Sequence, residues 1–208
     1  MKNTYTQQFL GFVKTLPLNL DKKASEFNYT NPVLILADAV LSMNRKYEAF
    51  VVPRIKHIEK SNIVSLNQLN TIITQGGIES FAHVWNYSDP KRVEILLKLT
   101  QRFLKLKEQY GLSDDLETLH KWGKEAKPKE WVMFGVKGIA FTTFQYLRIL
   151  CGGNTIKPDI HIKRAFLEAV GKNRPLEEIV EVIEETATYM NLQAKQLDYA
   201  LWSFYSKK

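Results

Sequence analysis

A chain of 208 residues, 45% hydrophobic and 25% charged, can bury roughly 70% of its unfolded surface and needs neither a disulfide nor a metal to hold a core. Cys151 is the single cysteine, which excludes a disulfide framework and a zinc site built on several thiolates. A formal net charge of +7 and a pI near 9.3 favour a polyanionic partner, and the lack of a long apolar run or signal-peptide pattern points to a cytoplasmic protein with no membrane partner.

The pattern predicts one compact all-α protein, without strands, repeats or linkers. A short helix is expected over 5–15, then a loop through Leu16-Pro17-Leu18 and the polar run after it. Asn31 as N-cap and Pro32 at the first helical position open a helix whose residues 33–43 are almost all apolar, so it belongs in the core. Asp38 lies inside it, and a carboxylate there must be paired, hydrated or protonated. Residues 47–60 read as a helix that Pro53 kinks or splits, and 66–75 as a short helix ending at Gly76-Gly77. Residues 91–110 read as a long amphipathic helix closed by Gly111. Asp114-Asp115 start a helix carrying Leu116, Leu119 and Trp122.

An apolar helix end over 131–134 then meets the turn Val136-Lys137-Gly138-Ile139-Ala140, where Gly138 can take a positive φ and reverse the chain. The next helix, 141–150, has Thr142 or Thr143 in place to cap its first turn. Open N–H groups and the positive end of the helix dipole make that turn a seat for a phosphate. Cys151-Gly152-Gly153-Asn154 ends the helix; Pro158 and Asp159 start another that runs to Val170. Amphipathic helices over 176–190 and 194–205 complete the chain. Net charge alone is equally well read as a solvated surface, but its placement is not random. Lys121, Lys124, Lys127, Lys129 and Lys137 lead into the turn, and Lys157, Lys163 and Arg164 follow it. Glu177, Glu178, Glu181, Glu184 and Glu185 suggest an acidic face turned away from the partner.

The order helix, V-K-G-I-A hairpin, helix, Gly-rich loop and D-I-H-I-K-R over 130–166 resembles the helix-hairpin-helix DNA glycosylases, with a weaker match over about 32–204. The resemblance implies two helical lobes with the hairpin at their junction: a discontinuous lobe from 1–30 and 155–208, and a central lobe over 31–154 with the hairpin at about 131–150. It implies double-stranded DNA with a damaged or mismatched base as partner, a monomer, and a monovalent cation at the hairpin carbonyls as the one candidate ion. With one cysteine, the four-cysteine iron-sulfur cluster of some relatives is excluded. Thr142 stands where strand-cleaving relatives carry a lysine, so cleavage through an imine at that residue is not expected. Ala140 replaces the hairpin's second glycine.

Base removal passes through a sugar with oxocarbenium character, which a neighbouring carboxylate stabilises while it orients the attacking water. Asp159 is the candidate; its alternative reading is a helix N-cap. Lys137, Gly138, Ile139, Ala140, Thr142 and Arg164 are candidate DNA contacts, Arg164 being equally able to pair with an acid. His161 is read as organising the loop. Asn44, in Leu41-Ser42-Met43-Asn44, matches either the residue that relatives insert into the gap left by a flipped base or a C-cap asparagine. Asp38, Trp131, Phe134 and Trp202 are candidate pocket residues, Asp38 with a structural role preferred to proton donation, and Trp85 is a further aromatic of the same kind; each aromatic is also a candidate core residue. The leading reading is a monofunctional DNA base-excision glycosylase. A non-catalytic helix-hairpin-helix DNA-binding protein and an all-α scaffold with an incidental basic face are its rivals.

Overall fold

The computed structural model describes residues 4–20 and 29–207, and among these it is all-helical with no strand. The polar run expected as a loop after Leu18 lies mostly outside the described residues. The helices are α1 (Thr4–Thr15), α2 (Pro32–Leu41), α3 (Val52–Lys60), α4 (Leu66–Val84), α5 (Pro90–Tyr110), α6 (Asp115–Glu125), α7 (Phe141–Leu150), α8 (Ile160–Val170), α9 (Leu176–Tyr189) and α10 (Ala194–Tyr205). None is long and apolar enough to cross a membrane.

Side-chain caps set most of the helix starts. Asn31 accepts from the Val33 N–H, Asp89 from Arg92 and Asp114 from Glu117, while Ser65 and Gln68 form a reciprocal capping box. Three local expectations change. Tyr47–Val51 is a π-helical turn that runs into α3, with Pro53 in the first turn of the latter, where its missing N–H costs nothing. α4 breaks at Gly76-Gly77 as expected, Gly77 leaving helical geometry at φ 79°, but a second helical stretch that was not expected follows to Val84. The segment before the hairpin is a 3-10 turn, Pro128–Met133, with no buried residue of its own, rather than the end of an α-helix.

The buried apolar side chains fall into two clusters. The larger surrounds α2, all ten residues of which are buried, and draws on α3 to α7. The smaller joins Phe9 and Val13 of α1 to α8, α9 and α10. α7 belongs to both: Phe144, Leu147 and Leu150 enter the first cluster and Phe141 the second, while the half-buried Trp131 packs against each. A buried polar chain also crosses. Arg148 donates to Gln145, Gln145 to Thr155, and Thr155 to Glu184 of α9 at 2.6 Å. The glutamates of α9 therefore do not form one detached acidic face: Glu184 turns inward, Glu185 accepts from Thr6 of α1, and Glu178 pairs with Arg174.

Candidate active site

The hairpin turn is closed by the Ile139 N–H donating to the Val136 carbonyl at 3.1 Å, with Gly138 at φ 101°. Val136 and Ile139 are buried and hold the turn on the core, while Lys137, Gly138 and Ala140 are exposed. Ala140 is the N-cap of α7 and supplies no side-chain bond. Neither threonine caps the first turn as expected, because the Thr142 hydroxyl is directed to the Pro158 carbonyl at 3.3 Å. The N-terminal donors of α7 thus have no side-chain cap, one condition for seating an anion. Thr142 also ties the hairpin helix to the loop that carries Asp159.

Asp159 caps α8: its Oδ1 accepts from the N–H groups of His161 at 2.9 Å and Ile162 at 3.2 Å. The half-buried carboxylate is oriented by those bonds, and among the described residues Oδ2 receives none. The cap and the candidate catalytic role are therefore compatible, one oxygen serving each. Beside it, Lys157 donates its backbone N–H to Asp198 of α10 at 2.8 Å and lays its Nζ 3.7 Å from the centroid of the Tyr146 ring. Burial pushes the Asp198 carboxyl up to about 8, aided by the charge of Asp159 and opposed by the Lys157 bond. Ile160, next to Asp159, and Val132 and Met133, before the hairpin, are large apolar side chains left exposed.

Asp38 is fully buried and accepts four hydroxyl hydrogen bonds. Tyr29 and Tyr47 donate to Oδ2 at 2.7 and 2.9 Å, Ser42 and Tyr146 to Oδ1 at 2.7 and 2.9 Å. A carboxylate offers about four lone-pair sites, so all are used. Asp38 thus draws three tyrosines and Ser42 onto one buried carboxyl group. Burial, then the Asp38 charge, pushes all three phenols well above their ordinary range, so they stay donors. Tyr47 in turn meets Trp202 of α10 edge-on with 6.5 Å between ring centroids, and Trp202 lies beside Tyr199.

Asn44 is exposed in the left-handed conformation, φ 54°, after α2. Buried Arg92 fixes that exit by donating to the carbonyls of Val40, Leu41 and Met43, with Asp89 as its counter-ion at 3.2 Å. Arg164 pairs with Glu168 at 3.0 Å, and His161 is half-buried. Among the aromatics, Phe134 and Trp85 are core: Phe134 packs on Phe103, Trp122 and Phe144, and Trp85 on Phe81. Trp131 and Trp202 stay half-buried, Trp131 against Phe141.

Asp159, Lys157, Asp198, Tyr146 and Asp38 thus form one connected polar region between the two clusters, with the hairpin helix bonded to its loop. Sequence reasoning reached Asp159 and Asp38 but missed Tyr29, Tyr47 and Tyr146. A carboxylate inside an apolar helix demands donors, and that demand was the available signal, although it does not say which tyrosines answer it.

No curated protein and no solved structure matches the chain. A family model described as a domain of unknown function, DUF8548, matches residues 14–206, and the chain belongs to that family.

Proposed function

We propose that the protein is a monofunctional DNA base-excision glycosylase. The observation that carries this reading is the divided carboxylate of Asp159, with Oδ1 held by two backbone N–H groups and Oδ2 without a hydrogen bond among the described residues, on a loop tied to the start of α7, which has no side-chain cap. A duplex phosphate docks on the turn Lys137-Gly138-Ile139-Ala140 and the first N–H groups of α7, beside Thr142. The target nucleotide leaves the stack, since its glycosidic bond is out of reach inside a duplex. Asn44, projecting from the exit of α2 on the Arg92 clamp, fills the gap.

With the sugar beside it, Oδ2 of Asp159 stabilises the growing positive charge at C1′ and orients the water that attacks there. Asp38 takes no part in proton transfer; it holds Tyr146 and Tyr47 in place. The product is an abasic site in an uncut strand. Arg164, exposed and paired with Glu168 on α8, is a further candidate phosphate contact, which it would make by exchanging that partner.

The test is single-turnover excision on duplexes carrying alkylated purines, uracil, mismatched thymine or mismatched adenine. Wild type should release one of these bases, leave strands that break only after alkali, and lose the activity in Asp159→Asn. Salt-sensitive duplex binding with no excision across the panel would favour a non-catalytic DNA-binding protein, for which the same hairpin suffices.

A further inference from the structure

Two guanidinium groups share one aromatic pair beside Asn44. That of Arg54 lies over the Phe50 ring, 3.7 Å from its centroid, and 5.0 Å from the centroid of Tyr87. That of Arg45 lies 5.1 Å from the Phe50 centroid, and its Nη2 donates to the Tyr87 hydroxyl at 3.1 Å. The two rings meet edge to face with 4.9 Å between centroids. Among the described residues neither arginine forms an ion pair. Asp89 reaches the cluster by accepting from Tyr87 at 3.1 Å, but its charge is committed to Arg92 at 3.2 Å. Arg45 places Nη1 on the Asn44 carbonyl at 3.2 Å, and Arg54 places Nη1 on the Phe50 carbonyl at 2.8 Å, so both keep N–H groups with no acceptor among the described residues. Like charges gathered on one aromatic pair repel each other, and a shared anion removes that cost. Stacking also holds the planar forks in place, and such forks grip a phosphate through paired N–H groups.

We propose that Arg45 and Arg54, held on Phe50 and Tyr87, form a second phosphate seat that takes a backbone phosphate of duplex DNA beside Asn44. The inference rests on the reading that the chain binds a duplex at the hairpin, and it adds a contact on different elements. Exposed Lys46, Lys56 and Lys60 on the same segment outweigh Glu48 and Glu59, which favours a polyanion over a single small anion. Arg45 follows Asn44 and bonds its carbonyl, so a phosphate held there also fixes the backbone of the residue that fills the gap. Phosphate contacts set register and orientation and carry no sequence information. The seat therefore positions the duplex relative to Asn44 and does not choose the base.

The experiment titrates the full chain with a duplex carrying a stable abasic analogue over a range of salt, so it does not depend on knowing the base. Arg45→Gln and Arg54→Gln should each bind about tenfold more weakly than wild type at about 0.1 M salt, and each should lower the slope of log K against log salt by about one. Arg45 is exposed, so its variant serves if Arg54→Gln melts early. Replacing backbone phosphates one at a time by uncharged methylphosphonate should find a position whose neutralisation weakens wild type but not Arg45→Gln. Lys137→Gln, at the hairpin, should stay sensitive at that position. Arginine variants that keep wild-type affinity and slope, or that remain as sensitive as wild type at every phosphate, overturn the proposal; if Lys137→Gln still binds more weakly, the glycosylase reading stands. Protection against melting by inorganic phosphate that Arg45→Gln abolishes, with duplex affinity unchanged, assigns the seat to a free anion and overturns it as well. Failure of wild type to bind the duplex removes both.

Discussion

Asp38 of α2 and Tyr146 of α7 are joined by a 2.9 Å hydrogen bond across 108 positions of chain, and both side chains are buried. Hydrogen bonds to a charged group contribute about 1.5–3 kcal/mol each. Asp38→Asn replaces an acceptor oxygen with an NH2 donor, so two of the four hydroxyls face the wrong partner. Denaturant unfolding should show a loss of about 2–4 kcal/mol. Tyr146→Phe should lose less, and the double variant should lose less than the sum, since the two share one bond. Strict additivity would remove Asp38 from the centre of this network.

Asp159 allows capping and catalysis to be measured apart. Asn and Ser are also good N-caps, so Asp159→Asn and Asp159→Ser should unfold within about 0.5 kcal/mol of wild type, whereas Asp159→Ala should lose about 1 kcal/mol. Excision should vanish in all three. Activity that follows stability, with Asn and Ser active and Ala impaired, would reduce Asp159 to a cap.

The hairpin turn has a steric test at Gly138. A Cβ there would meet the Ile95 Cδ1 at 2.5 Å, and the φ of 101° is one L-residues rarely adopt. Gly138→Ala should therefore lose about 1–3 kcal/mol and weaken duplex binding. Adding Ile95→Ala opens the space but leaves the backbone strained, so melting and duplex titration should recover only in part. Full recovery would mean that the contact, not the turn conformation, makes glycine necessary.

Asn44 separates insertion into DNA from helix capping. Its left-handed φ of 54° suits glycine at least as well, so Asn44→Gly should keep or raise the melting temperature while excision falls. Asn44→Ala should lose both, with about 1 kcal/mol of stability going to the strained backbone. If Asn44→Gly retains full excision, the residue only closes α2. Arg92→Met leaves three carbonyls at that exit without their donor and should be destabilising in chemical unfolding, by about 2–4 kcal/mol.

Asp198 predicts a pH dependence opposite to that of a salt-bridged carboxylate. Its folded pKa, about 8, stands above the unfolded value of 3.8, so between these the native state binds the extra proton. Stability contributed by this group is present at the acid end and declines as pH rises through that window. Thermal melts of wild type from pH 5 to 8.5 should fall relative to Asp198→Asn, which has nothing to titrate. Parallel curves for the two proteins would show that Asp198 is ionised throughout.

Local chemistry wrote much of this structure into the sequence. Asn31 before Pro32, Asp114 before α6, Asp159 before α8 and Gly111 after α5 each act within a few residues, and the caps appear where the sequence placed them. The apolar run of α2 required burial for the same reason of composition. Some local signals were incomplete: Gly76-Gly77 does break the helix, but a second helical stretch follows it, with Phe81 and Trp85 fully buried. The residues before the hairpin read as an apolar helix, but a short 3-10 segment is enough to bring Phe134 to Trp122 and Phe144.

What the sequence determined by itself was the all-α class, the turn at Gly138 and a carboxylate at Asp38 in need of donors. Ser42, four residues on, was within local reach as one of them. Tertiary structure alone decided that Tyr29, Tyr47 and Tyr146 would be the others, and that Lys157 would lie on Tyr146 with Asp198 at its backbone. Helical period and capping act over about four residues, whereas these groups come together only when two apolar clusters close around a shared helix.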